Sequence, residues 1–311
     1  MSEIDMLLLA DENYPSLLKH IADPPPQLYC RGKALDIMPP MVGIVGARRC
    51  TEYGESVAYK LGKELASLGF TVVSGMAGGA DSFAHQGALD AGGTTVAVLG
   101  CGVDICYPRH NRQLMDDIIK QGCIVSEYPP GTGALAHHFP QRNRIISGLC
   151  MGIVVVEAAA RSGSLITARC ALSQGRRLMA VPGSVFNEHS IGANALIRDG
   201  AALVTSGQDI QAALAEPLDT PAQATSSVNK TMIDRKPMAA AQPKPSPAAR
   251  PAPSTPLEAR LYEHISYEAR TADELSYRSD MHIKDVLGAL SMLEIHGFIR
   301  RTQGQRFVRT V

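Results

Sequence analysis

The 311-residue chain contains no tryptophan and only six phenylalanines and nine tyrosines. Stacking surfaces are therefore few, and an aromatic ring beside a charged motif carries weight. There is no excess of charge: 30 lysines and arginines balance 30 aspartates and glutamates. That excludes a globally basic nucleic-acid binder but not a local basic site, because only the field at the site matters. The seven cysteines (Cys30, Cys50, Cys101, Cys106, Cys123, Cys150 and Cys170) are odd in number and form no CxxC pair. Zinc-site spacing is absent, and free thiols in a reducing cytosol are expected. No apolar run approaches the roughly 18 residues of a membrane span. The short one at Met6–Ala10 has acidic neighbours, Glu3, Asp5 and Asp11, unlike a secretory signal. The sequence predicts a cytoplasmic protein with no membrane contact.

Familiar nucleotide fingerprints are missing as well. Neither GxGxxG nor GxxxxGK[ST] occurs. The second core strand closes on Val73-Ser74-Gly75, without the carboxylate that would hold ribose hydroxyls. An NAD enzyme and a P-loop ATPase are both disfavoured, and no cofactor is expected. HExxH and HxxxH are absent, and His85, His110, His137 and His138 are dispersed. No Ser/His/Asp triad assembles by spacing. No catalytic residue and no metal ligand is predicted. The adjacent His137 and His138 are expected at the surface or in a loop. Glu127 and Glu157, at strand ends, are expected to orient arginines or backbone groups.

What is present divides the chain into zones. Residues 1–40 are a short lead-in, in which Pro24-Pro25-Pro26 and Pro39-Pro40 break any regular element. Residues 41–212 alternate apolar runs with Gly-rich turns. The runs Met41–Val45, Thr71–Val73, Thr94–Leu99, Cys123–Val125, Gly152–Val156, Leu178–Val181 and Ala201–Val204 read as buried parallel strands. Between several of them lie helical patterns at Glu52–Leu68, Asp81–Ala91 and Ser164–Gln174. The fold class is α/β, a Rossmann-like, mostly parallel sheet with helices on both faces. Residues 213–255 are an Ala/Pro-rich linker expected to be disordered. Residues 256–311 read as three helices and a hairpin, a C-terminal winged helix. Thr271–Glu274 is a capping box opening its second helix, and the hairpin turns near Gln303-Gly304.

Ligands of open α/β sheets bind beyond the carboxyl ends of the strands. Four strand exits here are rich in small residues: Gly46-Ala47-Arg48-Arg49, Ser74 to Asp81 with Gly75 and Gly78, Gly100-Cys101-Gly102, and Ser162-Gly163-Ser164 with Thr167. Small residues let backbone N–H groups approach an anion, and the following helix start favours negative charge. Each glycine also suits an ordinary tight turn. The densest polar cluster is Phe139-Pro140-Gln141-Arg142-Asn143-Arg144. Two guanidiniums, an amide and a ring are the groups that hold a nucleotide strand. The same residues also suit capping and bracing the helix that follows. Tyr107 and Tyr128 are further stacking candidates.

These motifs, in this order and spacing, resemble the DNA-processing protein A (DprA/Smf) family. The resemblance rests on Val45-Gly46-Ala47-Arg48, Ser74-Gly75-Met76-Ala77, Ala97 to Gly102, Tyr107-Pro108, Phe139 to Ile146, Val156-Glu157-Ala158, Ser162 to Ala168 and Val181-Pro182-Gly183. It covers about residues 10 to 212, and the C-terminal module resembles the winged helix of many members. It implies a protein without chemistry of its own, which binds and protects single-stranded DNA entering the cytoplasm during natural transformation and helps load the RecA recombinase. It further implies a homodimer through the Rossmann-like domain. The family's basic pocket maps onto Arg48, Phe139, Arg142, Asn143 and Arg144, with Arg109 and Arg112 as neighbours. Two departures stand out. Gly79-Ala80-Asp81 replaces the family's usual Gly-Ile-Asp, and about 40 residues before the first strand leave the N-terminal helical domain of many members absent or reduced.

The alternative class is an enzyme acting on a nucleotide, as in phosphoribohydrolases of the wider superfamily. Their PGGxGT-type loop is not reproduced by Pro130-Gly131-Thr132-Gly133 or Val181-Pro182-Gly183. In the C-terminal module eight basic residues face eight acids, and the third helix is not basic. The wing carries Arg300, Arg301, Arg306 and Arg309, so protein interaction and auxiliary DNA contact both remain open.

Overall fold

The computed structural model describes residues 3–217, 255–266, 270–302 and 305–310. The chain forms two compact units, Met1–Asp234 and Arg235–Val311.

Seven strands of the first unit are parallel: β3 (Met41–Val45), β4 (Thr71–Ser74), β5 (Thr95–Val98), β6 (Cys123–Ser126), β7 (Gly152–Val155), β8 (Arg177–Ala180) and β9 (Ala202–Leu203). The Val/Ile-rich runs of the central strands β3, β4, β6 and β7 are buried on both faces, which only a sheet covered by helices on each side allows. Alternate residues feed opposite cores. Val45, Val73 and Val155 pack with Ile145, Ile146 and Leu149 of α5 (His138–Leu149) and with Ala168 and Ala171 of α6 (Ser164–Ser173). Val42, Ile44 and Val72 pack with Ala58, Leu61 and Leu65 of α2 (Glu52–Ser67) and Ala84 and Ala88 of α3 (Ala80–Asp90). Helix α4 (Arg112–Gln121) adds Met115 and Ile118 to a third cluster. The Rossmann-like reading of this region holds.

The order across the sheet is β1-β2-β6-β5-β4-β3-β7-β8-β9. From β3 the chain steps outward through β4, β5 and β6, then returns to place β7 on the other side of β3. The β3–β7 boundary is thus the topological switch point, where adjacent crossovers diverge and leave a crevice.

The lead-in differs from expectation. It contains regular elements, β1 (Ile4–Leu8), helix α1 (Ser16–Lys19) and β2 (Gln27–Gly32), which extend the sheet antiparallel from β6. The prolines fall between these elements rather than within them. In β2, Leu28 and Cys30 are buried while Tyr29 and Arg31 are only partly so, the alternation of a half-buried strand. Helices α7 (Ile191–Arg198) and α8 (Gly207–Ala215) complete the unit, and α8 runs past residue 212. The linker from 218 to 254 lies outside the described residues.

The second unit has helices α9 (Pro256–Glu263), α10 (Ala272–Ser279) and α11 (Ile283–Ile295) and strands β10 (Arg270–Thr271), β11 (Ile299–Thr302) and β12 (Arg306–Arg309). The capping box at Thr271 and Glu274 forms as read. Leu261, Leu275, Val286, Leu290, Leu293 and Phe307 make the core. The expected turn residues Gln303 and Gly304 lie outside the described residues.

Candidate nucleic-acid interface

The first and fourth Gly-rich exits flank the switch point, and between them opens a groove of about 570 Å³. Gly46, Arg48 and Arg49 form one wall, and Arg161, Ser162, Gly163, Ser164 and Thr167 the other. Phe139, Arg142 and Asn143 of α5 close it from a third side.

The loop after β3 is held by hydrogen bonds rather than by bulk. Buried Glu157, at the end of β7, accepts from the Thr51 N–H at 2.9 Å and the Thr51 hydroxyl at 2.7 Å. Thr51 in turn caps α2 by accepting from the Gly54 N–H. Glu157 therefore orients backbone and is already engaged, as the sequence suggests. On the other side, Gly79 sits at φ +75°, and a Cβ there would lie 2.4 Å from the Ala47 carbonyl oxygen. Only glycine lets the second loop approach the first so closely. Ala80, the departure from the family pattern, packs without exposure against Gly46.

The two arginines of the Phe139–Arg144 cluster separate. Residues two apart on a helix differ by about 200° in direction. Arg142 turns inward, is 3% exposed and donates to the Val98 carbonyl. Gly75 is glycine for this reason: a Cβ there would lie 2.1 Å from Arg142 Nη1. Burial, with Arg48 nearby, pushes the Arg142 guanidinium down to about 10, partly offset by Asp81. Burial raises the Asp81 carboxyl, although Arg142 and the Gly75 N–H counteract it. The Nε of Arg142 has no protein partner among the described residues. Arg142 is thus a positive floor of the groove rather than an outer contact. Arg144 points the other way, to Glu127 at 2.7 Å and Asp23 at 2.9 Å, and lines no part of the groove. It ties α5 to the lead-in rather than facing the groove with the rest of the cluster, and Glu127 orients an arginine as anticipated. Asn143 does line the groove, 3.5 Å from the Gly163 carbonyl.

Phe139 is the central ring. Gly100 leaves room for it, a Cβ there coming within 3.1 Å of the ring. Arg48 lies 5.2 Å from the ring centroid, and the exposed Tyr107 packs beside it at 5.3 Å. Tyr128 is otherwise occupied, stacked 3.9 Å from His138 and bonded to Gln141. His138, expected at the surface, is buried with Nδ1 3.1 Å from the Gly100 carbonyl oxygen, while His137 is exposed. Gly78 lies near His110 and outside the lining. Arg109 and Arg112 line a second hollow of about 400 Å³ with Asp104, Ile105 and Cys106. Tyr107 precedes them in the chain.

Arg49, which the sequence reading names only within the first strand exit, also lines the groove, as do Arg161 and His189, which it does not single out. Arg161 stands directly before Ser162-Gly163, and Arg49 directly follows Arg48, so adjacency to a strand exit was the available signal. Arg48, Arg49 and Arg161 are all exposed. None has an ion pair or hydrogen bond among the described residues. The one acid in the lining, Asp81, is buried. The rim also includes the start of α6, where the Ser164 N–H donates to the Ser162 hydroxyl at 3.3 Å and the helix dipole adds positive potential. Exposed cations, a helix start and an aromatic ring on one groove are the group types that suit a phosphate-bearing aromatic ligand. Among the described residues, no group of His, Cys, Asp and Glu is arranged to hold a metal. No helix among them is long and apolar enough to cross a membrane.

Comparison with known proteins gives consistent matches. The family model described as DNA recombination-mediator protein A matches residues 5–215, and that described as DprA winged helix domain matches residues 244–305. The DNA processing protein DprA of Streptococcus pneumoniae is 46% identical over 209 residues, 66% of this chain and 72% of that one. An X-ray structure of DprA from Streptococcus pneumoniae superposes with a TM-score of 0.65 at 44% identity, covering 68% of this chain and 74% of the other. A structure of DNA processing protein A from Helicobacter pylori, described for its unique single-stranded DNA binding mode, superposes with a TM-score of 0.61 at 32% identity. It covers 69% of this chain and 98% of its own.

Proposed function

This chain belongs to the DNA recombination-mediator protein A (DprA/Smf) family, and from that premise we propose that it binds single-stranded DNA in the β3–β7 groove. The observation that carries this reading is that three exposed guanidiniums without an ion pair among the described residues, Arg48, Arg49 and Arg161, line the same groove as Phe139, with Arg48 5.2 Å from the ring centroid. Guanidiniums fork onto phosphates, and a ring accepts any unpaired base on its face. Phe139 and Tyr107 offer such faces only to a strand whose bases are not already stacked in a duplex. Ser162, Gly163, Ser164 and Thr167 present the α6 start to one phosphate, while Arg109 and Arg112 extend the basic track beyond Tyr107.

In this role the protein performs no covalent chemistry. It covers incoming strands in the cytoplasm during natural transformation and helps load RecA onto them, as a homodimer formed through the Rossmann-like unit. The engagement of Glu157 by Thr51 favours binding over hydrolysis, since it leaves that strand-end carboxylate no free role as a base. Fluorescence anisotropy with a labelled oligothymidylate and with the matched duplex tests the proposal. Tighter binding of the single strand is expected. Equal affinities, or no binding at low salt, would refute it.

A further inference from the structure

The wall of the groove formed by Arg161 and the start of α6 has hydrogen-bond protons to spare. Ser162 Oγ lies 2.7 Å from Ser164 Oγ, and one hydroxyl donates to the other. Ser162 Oγ also accepts from the Ser164 N–H at 3.3 Å. Two hydroxyls carry two protons, and the bond between them uses one. Whichever serine donates, one proton stays uncommitted. Thr167, three residues past Ser164 on the same face of α6, is only 2% exposed. A buried helical threonine commonly turns its hydroxyl to the carbonyl one turn back. Here the hydroxyl makes no hydrogen bond among the described residues, and it is not sealed from solvent as the Arg142 Nε is. Arg161 adds an exposed guanidinium without an ion pair among the described residues. Every one of these groups can donate. No carboxylate lies on this wall, since the one acid of the lining, Asp81, comes from α3.

Donors in that number exceed what the interior of a strand can use. An internal phosphodiester has two free oxygens and a single negative charge. A terminal phosphate monoester has three free oxygens and close to two charges at neutral pH. The serine pair, Thr167 and Arg161 match three oxygens, and the helix start favours the additional charge. The groove, about 570 Å³, has the size of a pocket that encloses a small ligand rather than a length of strand. We propose that this wall captures the terminal 5′-phosphate of a single strand, so that the protein holds strands by their 5′ ends. The 5′ end is where a DNA strand ordinarily carries a monoester, the 3′ end being a hydroxyl. The first base then meets Phe139 in the same groove, and the strand leaves past Tyr107, 5.3 Å from Phe139, towards Arg109 and Arg112. The inference rests on the reading of the groove as a single-strand site and adds to it an end and a polarity. A free nucleoside 5′-monophosphate carries the same monoester but reaches neither Tyr107 nor Arg109.

Anisotropy titrations of the full-length chain separate the outcomes. Oligothymidylates of one length, labelled within the strand, carry a 5′-phosphate, a 5′-hydroxyl, or a 5′-hydroxyl with a 3′-phosphate. The 5′-phosphorylated strand is expected to bind about tenfold tighter than the other two, the worth of one charge-assisted hydrogen bond. Thr167→Val, which keeps the shape and removes the hydroxyl, and Arg161→Ala, at an exposed position, are each expected to bring that ratio towards one. Arg300→Ala, on the wing of the second unit, is expected to leave the ratio in place. Thymidine 5′-monophosphate should displace the phosphorylated strand only at concentrations at least about tenfold above those of the unlabelled strand, because it lacks the second stacked base. Equal affinities for the three strands, an equal gain from the 3′-phosphate, or a ratio that survives both variants would overturn the proposal. Displacement by the mononucleotide at the strand's own concentration would give the wall to a free nucleotide and overturn it equally. Failure of all three strands to bind would refute the single-strand reading itself and this inference with it.

Discussion

Arginines gather in two regions of this chain, and their partners differ. On the wing of the second unit, Arg301 bonds to Glu294 at 3.4 Å and lies over Phe307. Arg309 stacks 3.9 Å from the Tyr262 ring centroid and donates to the Tyr262 carbonyl. Arg306 also has a partner. These guanidiniums hold the small domain together. At the switch-point groove, Arg49 and Arg161 have no partner among the described residues, and Arg48 touches only a ring. Gathering unpaired like charges on one rim costs stability. A fold that keeps them so is complementary to an anion it does not itself supply. What distinguishes the two regions is therefore that the wing arginines other than Arg300 are engaged, whereas the groove rim holds three without an ion pair among the described residues.

The comparison sharpens first at Arg142, the groove arginine that is satisfied and buried. Arg142→Ala removes the bond to the Val98 carbonyl, opens a hole beneath Gly75 and leaves buried Asp81 without its nearest positive charge. A stability loss of about 3 kcal/mol is expected in urea unfolding, with strand binding lost alongside it. Arg142→Lys is not expected to rescue binding, because an ammonium cannot reproduce the planar fork. Stability unchanged by Arg142→Ala would place that arginine among the free contacts instead. A smaller effect is expected at Arg144, whose partners are Asp23 and Glu127. Asp23 is largely exposed and the ties are partly solvated, so Arg144→Ala should cost about 1 kcal/mol and leave oligothymidylate affinity in place. An affinity loss as large as that for Arg48→Ala would break the distinction drawn between them. The smallest effect belongs to the wing. Arg300 is exposed, and Arg300→Ala should change stability by less than about 0.5 kcal/mol and strand affinity not measurably. A clear affinity loss there would move part of the strand onto the winged helix.

Much of this fold is legible in the sequence because buried parallel strands are nearly continuous apolar runs. Met41–Val45 is read to the residue, and Gly152–Val156 to within one. The lead-in is harder to read because β1 and β2 are short and lie between prolines, and because β1 is almost wholly exposed. The groove follows from the strand exits, but membership of each side chain does not. Phe139-Pro140-Gln141-Arg142-Asn143-Arg144 is one motif in sequence and divides by helical rotation in space. Arg142 becomes the floor and Arg144 a tie to Asp23. Tyr128 and His138 pair with one another, a contact across ten residues that no local pattern announces. Arg161 and His189 reach the groove from β7 and from the turn before α7, elements brought together only by the strand order.

The most direct test of the central claim is the salt dependence of oligothymidylate binding. Each phosphate contact to a single strand contributes a slope of about −0.7 in log affinity against log salt. The chain carrying Arg48→Ala, Arg49→Ala and Arg161→Ala together is predicted to flatten the slope by roughly 2, three contacts at about 0.7 each. An unchanged slope in that triple variant would contradict the account.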